Sequence, residues 1–175
     1  MAKNTFHILA AILLLNVPII NYFSNCRATT LSENVKVDKV VVLKKKRCLV
    51  LISEDHIVKI YDIALGRCPR GPKIKDGDGR TPEGTYKIDY RVSDSRFHRA
   101  LHISYPNSLD MKRARALGVD PGGGIMIHGI RNGFGRVGKF HRLYDWTEGC
   151  IAVTNEEIEE IWQTVPDGTV VKIMP

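Results

Sequence analysis

The apolar positions of the chain fall into short β-branched runs set apart by turn-forming and basic residues. Val35, Val37, Val40, Val41, Val42 and Leu43 make the first run, which stops at the basic cluster Lys44-Lys45-Lys46-Arg47. Leu49 to Ile52 make a second, Ser53-Glu54-Asp55 turns, and Ile57, Val58, Ile60, Tyr61, Ile63 and Leu65 make a third. This pattern predicts an opening β-meander, with the basic cluster as a solvated hairpin turn or a patch for anionic polymer.

From Gly66 to Gly84 the chain is rich in Gly, Pro, Lys and Asp, a long loop of the functional or mobile kind, before strand signals return over Thr85 to Tyr90. Ser108 to Leu117 lacks Gly, Pro and β-branched residues and stops at Gly118, which predicts a short helix. After Asp120-Pro121-Gly122-Gly123-Gly124, the run Ile125-Met126-Ile127 reads as a strand that delivers His128 and Gly129 at its end. Thr154 and Glu157 form a capping box ahead of Ile158, Ile161 and Trp162, so a helix starts shortly after Cys150. Pro166-Asp167-Gly168 ends it before a last strand over Thr169 to Ile173. Strands outnumber helices, and the fold class expected is mainly β with a few short helices.

The N-terminus has a different pattern. Lys3 precedes an apolar stretch from about Phe6 to Ile20, shorter than the roughly 18 to 20 apolar residues of a membrane-spanning helix. Residues 1–28 are expected to be a signal peptide or membrane anchor, 29–34 a linker and 35–175 one catalytic domain. Cys26-Arg27-Ala28 offers small residues for cleavage after Ala28, and Asn25-Cys26 a weak lipoprotein alternative. The protein is thus expected to be exported.

Net charge is +7, which admits a polyanionic partner, but no zinc-finger spacing or RNA-binding aromatic signature accompanies it, so no nucleic-acid partner is expected. Export makes a disulfide permissible. Of the four cysteines, Cys48 and Cys68 are the pair available if Cys150 is catalytic, and packing of both as free thiols is the alternative.

Chemistry concentrates near the C-terminus. A thiol attacks only as thiolate, which requires a base or positive field, and Thr147-Glu148-Gly149-Cys150 sets a cysteine beside a glycine that admits a substrate carbonyl. His128 precedes it by about twenty residues, a span that loops back through Gly133, Gly135 and Gly138. His141 and Asp145 are candidates to orient His128 or bind substrate, Thr147 to hold the loop, and Arg131, with Arg136, Lys139 and Arg142, to receive carboxylates. Surface and turn roles are the alternatives for each. No Cys-x-x-Cys pair occurs and His98 and His102 lack further ligands, so no metal and no cofactor are expected.

The pattern Ile127-His128-Gly129, a loop, then Thr147-Glu148-Gly149-Cys150-Ile151-Ala152-Val153-Thr154-Asn155 resembles the signature of the L,D-transpeptidase catalytic domain, the YkuD-like family. Gly71-Pro72-Lys73 and Gly77-Asp78-Gly79-Arg80-Thr81-Pro82-Glu83-Gly84 look like that family's substrate-side loop. The resemblance runs from about Val37 to the C-terminus. Many relatives carry His where Glu148 stands and Arg where Ala152 stands. The version Asp145-Trp146-Thr147-x-Gly149-Cys150 is similar to a Gram-negative subgroup that includes hydrolases detaching proteins from peptidoglycan.

The resemblance implies a β-sandwich-type domain in the periplasm or cell envelope that acts on peptidoglycan stem peptides. Cys150 would form a thioester with His128 as base, and Gly129 would support that site. An acceptor amine, from a second stem or a wall-attached protein, would resolve the thioester. Gly149 and Cys150 main-chain amides would bind the oxyanion. A hydrolase on the same scaffold and a non-catalytic wall-binding protein are the competing readings.

Overall fold

The computed structural model describes Leu31 and residues 35–175; the expected leader and most of the linker lie outside the described residues. Strand β1 (Lys39–Leu43) pairs antiparallel with β2 (Cys48–Ser53), which pairs with β3 (His56–Asp62). The long β4 (Gly84–Ser95) and β5 (His98–Ile103) follow, then helix α1 (Ser108–Leu117), β6 (Met126–His128) and β7 (Ile151–Ala152). Helix α2 (Asn155–Thr164) and β8 (Val170–Met174) complete the chain. The strand order is β3-β2-β1-β8-β4-β5-β6-β7, a mainly β domain with short helices, as its sequence predicts.

Strand β4 joins two halves. Gly84 to Lys87 pair with β8, and Ile88 to Ser95 pair with β5. Apolar residues of both halves, among them Leu49, Leu51, Tyr61, Leu101, Ile103 and Ile127, form one buried cluster, the feature that sets this architecture. The last strand, β8, lies parallel to β1 and antiparallel to β4. Beyond β3, Ala64 and Ala152 of β7 exchange main-chain hydrogen bonds of 3.0 and 2.9 Å, so the two ends of the strand order meet.

The predicted helices form where expected. Asn107 and Asp110 make a reciprocal capping box at α1, and Gly118 closes it in the left-handed conformation. At α2 the Thr154–Glu157 box is present, and Ile158 and Ile161 turn fully into the core. The sequence reading stopped the fourth strand at Tyr90 and missed β5. In β5 the polar His102 is buried because its Nδ1 meets Asp89 Oδ1 at 2.6 Å and its ring stacks on Tyr90. His98 bonds Glu159 instead. Four residues apart on a strand, the two imidazoles are carried roughly 13 Å away from each other.

The basic cluster is not simply a solvated turn. It forms one 3-10 turn, Lys44–Lys46, and Lys44 is buried. Its ammonium donates to Gly71 O (2.6 Å), Thr81 O (2.8 Å) and Glu83 Oε1 (2.8 Å). An ammonium in low dielectric is tolerated only when its three donors are used, as here; burial lowers its pKa, while Glu83 acts against that shift. The loop from Gly66 to Gly84 is therefore tied to the first hairpin. A second knot lies inside it: the Asp78 carboxylate accepts from the amides of Ile74, Lys75 and Arg80 and from Lys73 Nζ. Cys48 is buried and Cys68 exposed, and the two are not joined to each other.

Lys44→Met should lower unfolding stability by about 3 kcal/mol, since Glu83 and two carbonyls lose a buried partner. Lys45→Met, at an exposed neighbour, should change it by less than about 0.5 kcal/mol. Urea denaturation of the two variants checks the contrast; equal effects would remove Lys44 from its anchoring role.

Candidate active site

Two short parallel strands bring the candidate residues together. In the β6–β7 pair Ile127 faces Ile151 and His128 faces Ala152. His128 thus closes β6 while Cys150 immediately precedes β7, at the same end of the sheet as Met126. The Val153 amide donates to His128 O at 3.0 Å, extending the pairing.

His128 is 3% exposed. Its Nδ1 lies 2.7 Å from Gly129 O; a carbonyl only accepts, so Nδ1 carries the hydrogen and Nε2 keeps its lone pair. Phe97 lies with its ring centroid 4.6 Å away, and Trp146 packs at 5.8 Å, edge to face. Burial, opposed by the Gly129 bond, pushes its pKa down to about 4, so the imidazole is neutral at pH 7. Gly129 has no room for a side chain: a Cβ would stand 2.8 Å from Asn155 Oδ1, the atom that receives the Ile130 amide at 2.8 Å.

Cys150 is half-buried, with Sγ 3.6 Å from Gly124 O. Burial pushes its thiol pKa up, while a hydrogen bond from the Met126 main chain and the positive charge of Lys73 act in the opposite direction. The resting pair is therefore a neutral thiol and a neutral imidazole rather than an ion pair. Lys73 was not among the sequence candidates. It is 5% exposed and held between Lys75 O and Asp78, and its only sequence signal was a lysine inside the Gly71-Pro72-Lys73 motif.

The loop before Cys150 is fixed on both sides. Thr147 Oγ donates to Cys150 O at 2.7 Å and accepts the Gly149 amide at 3.1 Å; the Gly149 donor is thus engaged within its own loop. Leu65 O receives the Thr147 amide, and Thr147 O receives that of Arg67. Between them Gly66 presses on the loop: a Cβ there would lie 3.0 Å from Gly149 Cα and 2.2 Å from Gly79 O. Gly149 itself has φ +134°, and a Cβ would meet Arg80 O at 2.5 Å, so both positions require glycine.

Asp145 does not reach His128. Its carboxylate clamps Arg47, with contacts of 2.7 to 3.1 Å, and accepts the Leu65 amide at 2.9 Å. His141 is buried beside Trp146, whose Nε1 donates to its Nδ1 at 3.4 Å. Arg131, exposed, lines a groove of about 250 Å3 with Ile130, Phe134, Val137, His141, Tyr144 and Trp146. Arg142 pairs with Glu157 and Asp62, and Glu148 with Arg67.

A cysteine and an imidazole delivered by adjacent parallel strands of this sheet define a class, and the sequence agrees: the chain belongs to the YkuD family of L,D-transpeptidase catalytic domains, whose family model matches residues 37–173. Among curated relatives, YafK of Escherichia coli strain K12 is 32% identical over 135 residues, 74% of this chain and 47% of YafK. YqjB of Bacillus subtilis strain 168 is 29% identical over 137 residues, 77% and 69% of the two chains. The chain spans about half the length of YafK. Among solved structures, the helical cell shape determining protein Pgp2 from Campylobacter jejuni superposes with a TM-score of 0.61 at 26% identity, covering 88% of this chain and 54% of Pgp2.

Buried histidines bear on stability. An unfolded chain protonates histidine near 6.5, whereas His128 and His141 are both held at about 4. The unfolded state gains protons first as pH falls, so stability is undiminished by these groups above pH ~6.5 and is lost between roughly 6.5 and 4. Between pH 7 and pH 5 the urea midpoint should fall, and His141→Gln should flatten part of that decline. A wild-type midpoint that rises toward pH 5 would contradict it.

Proposed function

We propose that this chain is an exported cysteine L,D-transpeptidase that acts on peptidoglycan stem peptides in the cell envelope. The observation that carries the reading is the adjacency of β6 and β7: His128, whose Nδ1–H is held by Gly129 O so that Nε2 keeps its lone pair, faces Ala152, two residues after Cys150. Family membership and likeness to Pgp2 support it. The leader pattern of residues 1–28 supports export.

With thiol and imidazole both neutral at rest, proton transfer accompanies attack rather than preceding it. Cys150 Sγ bonds to the carbonyl before a terminal D-alanine while its proton moves to His128 Nε2. The tetrahedral oxyanion turns to the main-chain amides of Gly149 and Cys150, displacing the Thr147 hydroxyl from the first. Collapse breaks the peptide bond, the leaving amine takes the proton from His128, and a thioester remains. An acceptor amine, from a second stem or a wall-attached protein, then attacks the thioester and restores the thiol.

Water in place of the amine would make the same site a hydrolase, a second reading favoured by the similarity of Asp145 to Cys150 to the hydrolase-containing subgroup. Lys73 stabilises the sulfur as it gains negative charge.

Incubation with a carbapenem, read by intact mass, should give one adduct per chain on the wild type and none on Cys150→Ala. His128→Ala should slow adduct formation by about 100-fold or more. An unchanged adduct on Cys150→Ala, or none on the wild type, would overturn the nucleophile. Stem peptides digested with and without an acceptor amine separate the two readings: a joined product supports transfer, and a shortened stem in both reactions supports hydrolysis.

A further inference from the structure

The stretch between His128 and Cys150 repeats every three residues: Phe134-Gly135-Arg136, Val137-Gly138-Lys139, Phe140-His141-Arg142, then Leu143. It folds largely as 3-10 helix, Gly135–Leu143, interrupted at Gly138. A 3-10 helix has three residues per turn, so residues three apart share a face within each of its two parts, and burial across the Gly138 kink follows the same repeat. Gly135, Gly138 and His141 form the inner stripe, half-buried to buried.

Among the described residues nothing covers the outer apolar stripe: Phe134 is 57% exposed, Val137 40%, Phe140 71% and Leu143 79%, with Tyr144 beyond at 69%. These account for most of the large exposed apolar side chains among the described residues. A monomeric surface seldom gathers them in one place without a use. In the basic stripe Arg142 is tied to Glu157, but Arg136 and Lys139 are exposed and enter no salt bridge among the described residues. No acidic residue occurs from Gly129 to Tyr144.

We propose that this segment is a membrane-docking surface for an anionic lipid bilayer. An apolar stripe beside uncompensated lysine and arginine is the pattern of an element that lies in the headgroup plane, with its apolar side chains entering the acyl boundary and its cations on lipid phosphates. The charge complementarity favours lipid over a second copy of this chain, whose identical stripe would bring like charges together. Because the segment leads from one candidate catalytic residue to the other, docking sets the site against the membrane face. The inference concerns the surface and does not depend on turnover.

Residues 31–175 form one compact unit with its own core, so this body can be tested by co-sedimentation with vesicles of phosphatidylglycerol and phosphatidylcholine. It should bind these, bind phosphatidylcholine alone far more weakly, and lose at least about tenfold in affinity in Phe140→Ser/Leu143→Ser and in Arg136→Ser/Lys139→Ser. Unchanged thermal melting of the variants shows that the fold is intact. Wild-type protein that stays in the supernatant, or an apolar double variant that binds as well as wild type, overturns the proposal. A wild-type dimer that the apolar variant dissolves, without vesicle binding, would assign the stripe to a second copy and overturn it too.

Discussion

Everything at the candidate site depends on a strand of two residues. Ile151 and Ala152 pair with β6 on one side and, through Ala64, with the chain leaving β3 on the other. Neither partner alone would hold so short a strand, because two residues of ladder offset little of the entropy of ordering them. Held from both sides, β7 fixes Cys150 against the end of β6, and the close contact of Gly66 with Gly149 fixes the approach to it. The ion pair of Arg47 with Asp145, which also takes the Leu65 amide, locks the same seam from the first hairpin.

The electrostatics of the site are consistent with this rigidity. A histidine that is almost wholly buried and a thiol shielded from water favour uncharged forms. The Gly129 carbonyl chooses which imidazole nitrogen is left available, and Lys73, itself balanced by Asp78, supplies a fixed positive field. Burial thus opposes charge on both groups, and at the sulfur the Lys73 field acts against that opposition.

Much of this was legible in the sequence where local chemistry decides the outcome. The Thr154–Glu157 box, the Gly118 stop and the β-branched runs each announce their element without reference to the rest of the chain. Cys150 and His128 are singled out together by the motif that resembles the YkuD-like family, since a cysteine after a glycine and a histidine at a strand end are each common by themselves. What escaped were features decided by distant partners. Strand β5 is polar in sequence and is made a strand by its neighbours β4 and β6. Lys44 reads as one of four solvated charges until Gly71, Thr81 and Glu83 converge on it. Asp145 is in sequence a candidate to orient His128 or bind substrate, or else a surface or turn residue; its carboxylate instead holds Arg47 and the Leu65 amide.

The Lys44 ammonium has a consequence for recognition. A glycine-rich loop beside a binding cleft ordinarily loses conformational freedom when a ligand arrives, and that loss is subtracted from the affinity. Here one buried cation and the Asp78 turn have already ordered Gly66 to Gly84 during folding. The loop is therefore preorganised, and a ligand that contacted it would not incur that loss.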